Sequence, residues 1–305
     1  MIDRLTEAIR KKENPTVAGL DPTSEMMPEF LKIRYFSEFG RTAEAVRRMF
    51  TEFNRNIIDA LCDIVPAVKP QIAMYEKYGP EGLKAYNDTC AYARMKGLVV
   101  IGDIKRGDIS STAAAYAAHL SGAEADGHHL ETWKEDAVTL NPYMGSDGIK
   151  PFLEICSKED KGIFLLVKTS NPSSSELQDL MLADGRRVYE AAADLVEKWG
   201  RQVPGSGRYS KAGAVVGATH REIGRALRAR MPHTFFLVPG YGAQGATAED
   251  IAGFFDEEGG GVIVNSSRGI TAAYQKDDAF GEKDYAEAAR RAALNMREDL
   301  RKCHA

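Results

Sequence analysis

Leu98-Val99-Val100-Ile101-Gly102-Asp103 is an unbroken run of apolar and β-branched residues of strand length. An alanine-rich helical stretch over 111–120 follows, and then a second strand pattern, Ala137-Val138-Thr139-Leu140. A strand apolar on both faces is expected where helices cover both sides of a parallel sheet, and strand, helix and strand in that order form one parallel β-α-β unit. The alternation continues in both directions. Upstream lie a strand at Thr16-Val17-Ala18-Gly19-Leu20, a helix over 43–63, a strand at Ala67-Val68-Lys69 and a helix over 80–95. The helix over 43–63 is marked by Val46, Met49, Phe50, Phe53, Ile57 and Leu61 at helical spacing. Downstream, helices over 147–156, 186–199, 220–230 and 247–255 alternate with strands over 163–167, 214–216, 235–238 and 261–264. Tyr285, Ala289, Ala292, Met296 and Leu300 mark a final helix.

Eight strand–helix units without a linker predict one closed (β/α)8 TIM barrel spanning residues 1–305, an α/β fold of a single domain. Such a barrel needs about 250 residues, so the 305 here leave room for extended loops. Two stretches fall outside the repeat. Residues 124–135, with Asp126-Gly127-His128-His129 and Trp133, read as an extended connection of no assigned role. Residues 171–185, with Pro172-Ser173-Ser174-Ser175, read as a mobile loop suited to an active-site lid.

Composition narrows the function. Forty Lys and Arg against 44 Asp and Glu give a net charge of −4, without the basic excess of a nucleic-acid binder. A local basic patch for one small anion is compatible with that balance. No apolar run approaches the ~20 residues that span a bilayer, and charge occupies the start of Met1-Ile2-Asp3-Arg4 where a signal peptide would be apolar. Cys62, Cys90, Cys156 and Cys303 form no C-x-x-C pair, which fits reduced thiols in the cytoplasm and suggests neither a disulfide framework nor a metal site.

In a barrel of this kind the chemistry sits where strands end. Asp103-Ile104-Lys105-Arg106-Gly107-Asp108 ends the third strand. Asp103 and Lys105 are two apart, so an extended chain turns them to one side and Ile104 to the other, and Gly107 permits a turn before Asp108. Alone, D-x-K-x-x-D fits an ordinary ion pair equally well. Lys69 closes the second strand and Asp21 the first, however, and charges ending three neighbouring strands would converge on one mouth. At the other end of the chain, Pro239-Gly240-Tyr241-Gly242-Ala243-Gln244-Gly245 follows the seventh strand and Asn265-Ser266-Ser267-Arg268-Gly269-Ile270 the eighth. These are the usual phosphate-holding loops of such barrels, with glycines that bare backbone N–H groups, an amide on Gln244 and a planar fork on Arg268. Lys168-Thr169-Ser170-Asn171-Pro172 follows the fifth strand and could read a polar ring or merely cap a turn.

Together these segments resemble the orotidine 5′-phosphate decarboxylases of the longer bacterial type. The resemblance runs through Gly19-Leu20-Asp21-Pro22, Val68-Lys69-Pro70-Gln71, 103–109, 139–148, 168–172, 213–219, 239–247 and 264–270, nearly the whole chain. It implies decarboxylation of orotidine 5′-monophosphate to UMP, without metal or organic cofactor, in a homodimer. It maps a charged tetrad onto Lys69, Asp103, Lys105 and Asp108, with Asp108 reaching across the interface. Asp21 would bind ribose, and Thr112 and Ile109 would add contacts from the partner. Ser170 would meet the pyrimidine, while Pro239, Gln244 and Arg268 would line the phosphate end. Competing readings are a magnesium-dependent sugar-phosphate enzyme, a Schiff-base aldolase using Lys69, Lys105 or Lys168, and a non-catalytic nucleotide binder.

Overall fold

Among the described residues ten strands occur in chain order: β1 (Thr16–Leu20), β2 (Ala67–Pro70), β3 (Val99–Arg106), β4 (Ala123–Ala125), β5 (His128–Leu130), β6 (Ala137–Leu140), β7 (Gly162–Lys168), β8 (Ala212–Val216), β9 (Phe236–Pro239) and β10 (Val262–Ser266). In the computed structural model, which describes residues 1–242 and 245–303, eight of them are parallel and close into a barrel in the order β1-β2-β3-β6-β7-β8-β9-β10. The predicted (β/α)8 barrel is therefore the observed one, with helices including Ala43–Leu61, Gly79–Met95, Ser110–Ser121, Ser146–Lys158, Val188–Gly200 and Arg221–Arg230 packed outside.

Alternation along each strand sorts the core into two compartments. Val17, Ala67, Val99, Ile101, Ala137, Phe164, Val215, Leu237 and Ile263 fill the barrel interior. Their neighbours Ala18, Val68, Val100, Val138, Leu165, Ala214, Val238 and Val264 pack outward against the helices. The interior is closed from below by the helix Ile2–Lys12, whose Ile2 and Leu5, with Met1, join the same cluster. Neither that helix nor Glu29–Phe39 belongs to the eight expected repeats.

The two irregular stretches have definite structure. Within 124–135, β4 and β5 form an antiparallel hairpin. The chain beyond it buries Glu135, which accepts a hydrogen bond from Tyr86 and pairs with His119, while Trp133 stacks on the His119 ring at 4.4 Å. Within 171–185, a 3-10 turn at Pro172–Ser174 leads into a helical turn at Ser175–Gln178. This segment was expected to be a mobile loop, but side chains tie it down. The fully buried Lys168 ammonium donates to Ser174 Oγ (3.2 Å) and Asp179 Oδ1 (2.8 Å), and Gln178 accepts from the Thr169 N–H.

Candidate active site

The interior alternation that places Ala67, Ile101, Ala137 and Ile263 in the apolar plug brings Lys69, Asp103, Thr139 and Asn265 inward one layer higher. This layer borders a cavity of about 440 Å³ at the C-terminal mouth, lined by Asp21, Lys69, Asp103, Pro239, Tyr241, Asn265 and Arg268 among others.

Asp103 lies at the centre of the charge arrangement. Its Oδ2 accepts from Lys69 Nζ at 2.6 Å, and its Oδ1 from Lys105 Nζ at 2.5 Å and from Thr139 Oγ1 at 2.9 Å. Asp103 and Lys69 are buried, whereas the Lys105 side chain is 45% exposed. Burial opposes the ionised carboxyl of Asp103, but the two ammonium groups outweigh it and hold the group well below the usual carboxylate range. Burial likewise opposes the Lys69 ammonium, and the charges of Asp103 and then Asp21 raise it above the ordinary lysine value. The result is a cation–anion–cation line in which Lys69 and Asp103 border the cavity and Lys105, at the exposed end, lies outside its lining.

Local backbone geometry departs from a plain extended strand. Lys105 adopts φ 46°, in the left-handed region, as does Ser110 at 52°. Gly107, expected to permit the turn toward Asp108, has no positive φ; instead it lies close against Asn141, where a Cβ would sit 3.3 Å from the Asn141 backbone oxygen. The positive φ values fall instead on residues with side chains to either side of it. Asp108 accepts from the Ile109 N–H at 2.7 Å and forms no ion pair among the described residues. Three of the four expected tetrad members thus meet within one chain, and Asp108 does not join them. Ile109 and Thr112 lie exposed at the start of the helix Ser110–Ser121 and do not line the cavity.

At the opposite wall, Gly240, Gly242 and Gly245 take positive φ, and the Gly242 N–H donates to the Ala246 carbonyl. Tyr241 in this loop donates to Asp299 Oδ2 on the C-terminal helix Tyr285–Arg301; burial and then the hydrogen bond to Asp299 push its phenol up. Gln244 lies outside the described residues. Arg268 is exposed at the cavity edge and has no ion-pair partner among the described residues. Ser170 is half-buried just beyond β7 at the same end of the barrel but does not border the cavity. Lys168 is turned away: a one-residue irregularity in the β7–β8 pairing between Leu166 and Lys168 accompanies its engagement with Asp179. Thr139 and Asn265 were not singled out from sequence, although counting by twos from Ala137 and Ile263 reaches them. Among the described residues, no group of three or more His, Cys, Asp or Glu is placed to hold a metal ion.

Comparison with known proteins gives the family. The Orotidine 5′-phosphate decarboxylase / HUMPS family matches residues 15–282. A Clostridium acetobutylicum protein named Orotidine 5′-phosphate decarboxylase is 43% identical over 303 residues, 99% of each chain. One of the same name from Rhodopirellula baltica is 41% identical over 302 residues, 98% of each. The solved Leishmania donovani OMP decarboxylase aligns with a TM-score of 0.76 at 30% identity, over 99% of this chain and 98% of that one. With a barrel closed in the expected order, Lys69, Asp103 and Lys105 joined at its mouth and similarity along nearly its whole length, the chain belongs to the orotidine 5′-phosphate decarboxylase family of carboxy-lyases.

Proposed function

We propose that the protein converts orotidine 5′-monophosphate to UMP and carbon dioxide in pyrimidine nucleotide synthesis, with Lys105 protonating C6. The observation that carries this reading is the Lys69–Asp103–Lys105 line beside the cavity, in a chain of this family. When the bond from C6 to the carboxylate breaks, the electron pair stays on C6 in the plane of the ring, where the ring π system does not absorb it. A positioned ammonium offsets that charge as it develops and then supplies the proton. Lys105 Nζ is held by Asp103 and is the more open of the two lysines. After the transfer its amine regains a proton from solvent.

The remaining roles follow from position. Asp21 borders the cavity with one buried carboxylate oxygen that has no hydrogen-bond partner among the described residues, which suits a ribose hydroxyl. Arg268 and the glycine-rich loop after β9 suit the phosphate, with Gln244 and Pro239 beside it, and Ser170 suits the pyrimidine edge. Asp108, Ile109 and Thr112 lie at one helix start, Ile109 and Thr112 exposed, and Tyr143 and Met144 are exposed just beyond Asn141, which packs against Gly107; this surface suits the interface of a homodimer in which Asp108 enters the partner's site. We place the enzyme in the cytoplasm, where four unpaired cysteines would stay reduced.

An absorbance assay with orotidine 5′-monophosphate, in the presence of a chelator, tests the reading. Loss of the substrate spectrum with formation of UMP is expected, and Lys105→Ala should abolish turnover while still binding UMP. A wild-type protein that leaves the substrate unchanged refutes the reaction, and near-normal turnover by Lys105→Ala refutes the assigned acid.

A further inference from the structure

β3 pairs with β6 at Ile101–Ala137 and Gly102–Val138, and again at Arg106–Leu140. Between those points β3 passes through Asp103, Ile104 and Lys105, while β6 offers only Thr139. Two extra residues therefore bulge from β3, a device that re-aims side chains beside active sites. Lys105 takes a left-handed φ of 46° there, a conformation that residues with a Cβ avoid unless their surroundings impose it. Thr139 occupies the gap. Its Oγ1 accepts the Lys105 backbone N–H at 3.0 Å, so its own proton is directed to Asp103 Oδ1 at 2.9 Å. That same carboxylate oxygen takes the Lys105 ammonium at 2.5 Å. The hydroxyl is buried, with Thr139 1% exposed.

We infer that Thr139 is a positioning residue, whose single hydroxyl locks the bulged Lys105 backbone to the carboxylate that aims the Lys105 ammonium. Its effect on turnover rests on the proposed role of Lys105 as proton donor. Valine has the shape of threonine without the hydroxyl; serine keeps the hydroxyl and loses the methyl. A positioning role and a packing role therefore rank the two substitutions in opposite order.

For Thr139→Val we expect kcat to fall by about tenfold to a hundredfold, as suits loss of a hydrogen bond to a charged group. KM and the UMP dissociation constant should stay within about threefold of wild type. Thr139→Ser should keep kcat within about threefold. Valine retaining turnover, or serine losing as much as valine, overturns the inference. Should Thr139→Val not fold, Thr139→Ala against Thr139→Ser makes the same comparison with the methyl absent from both, and equal activity overturns it. A crystal structure of Thr139→Val, or of Thr139→Ala in its place, gives a readout independent of turnover. A Lys105 that leaves the left-handed region or separates from Asp103 supports the role, and an unchanged Lys105 overturns it. If the wild-type protein does not decarboxylate orotidine 5′-monophosphate, the proposed function fails and the crystallographic comparison alone decides for Thr139.

Discussion

Replacing Asp103 with asparagine removes one negative charge and almost no volume. Lys69, 4% exposed, then keeps its ammonium in the interior with Asp21 as the remaining nearby anion. Removing one partner of a buried pair costs about 3–5 kcal/mol, chiefly because the other charge stays buried without compensation. The Lys105 contact adds little, since that side chain is 45% exposed and water screens it. With an unfolding entropy of roughly 2.1 cal/mol/K per residue, a 305-residue chain should lose about 5–8 °C in Tm. Differential scanning calorimetry at pH 7 without ligand measures this. The double variant Lys69→Met/Asp103→Leu removes both buried charges and should recover at least about half of the loss, because a buried pair exchanged for apolar side chains is often tolerated. A Tm for Asp103→Asn within about 1 °C of wild type, or a double variant as unstable as the single one, would show that an uncompensated Lys69 ammonium is not what the carboxylate prevents.

Arg268→Ala should lower kcat/KM for orotidine 5′-monophosphate by about tenfold to a hundredfold, the worth of a charge-assisted hydrogen bond, and leave turnover of the phosphate-free nucleoside orotidine unchanged; equal losses on both would remove Arg268 from the phosphate site. Mixing equal amounts of inactive Lys105→Ala and Asp108→Ala proteins under exchange should restore about a quarter of wild-type activity, since half the dimers are hybrids and each hybrid has one intact site. No recovery in demonstrably mixed dimers would place Asp108 in its own chain's site. Asp103 is held below its unfolded pKa, so its stabilising contribution is present above about pH 4 and lost as pH falls through the depressed value. Lys69 is raised, so its contribution is present below about pH 10 and lost as pH rises through its folded pKa. The Tm difference between wild type and Lys69→Met/Asp103→Leu should therefore be flat from about pH 5 to 9, and a step near neutrality would contradict the charge states assigned.

The barrel and three of its charges were legible because both follow from a period of two. Once the apolar runs were placed, the residues ending them, Lys69, Asp103 and Lys105, had to emerge at one mouth. The bulge was not legible. Nothing in Gly102-Asp103-Ile104-Lys105-Arg106 announces that β3 carries two more residues than β6 over that span, because the difference depends on the neighbouring strand. For the same reason nothing in the sequence announces that Thr139 takes the Lys105 N–H, or that Lys105 and Ser110, on either side of Gly107, carry the positive φ values. The helix Ile2–Lys12 escaped notice because its apolar side is narrow, with Ile2 and Leu5 the only buried residues among mostly polar and charged neighbours. The hairpin of β4 and β5 is short and exposed, so its strands carry no apolar alternation to read.

Lys168 bears on how this enzyme could be re-engineered. Its ammonium, sealed beneath the 172–179 segment and joined to Ser174 and Asp179, works like a rivet through that flap. Lifting the flap would strip a desolvated cation of its counter-charge, so any gating that admits nucleotide is cheaper elsewhere on the rim. Loop grafts or deletions that keep Lys168 and discard Asp179 would leave the rivet with nothing to hold, and the two residues must travel together in any chimera.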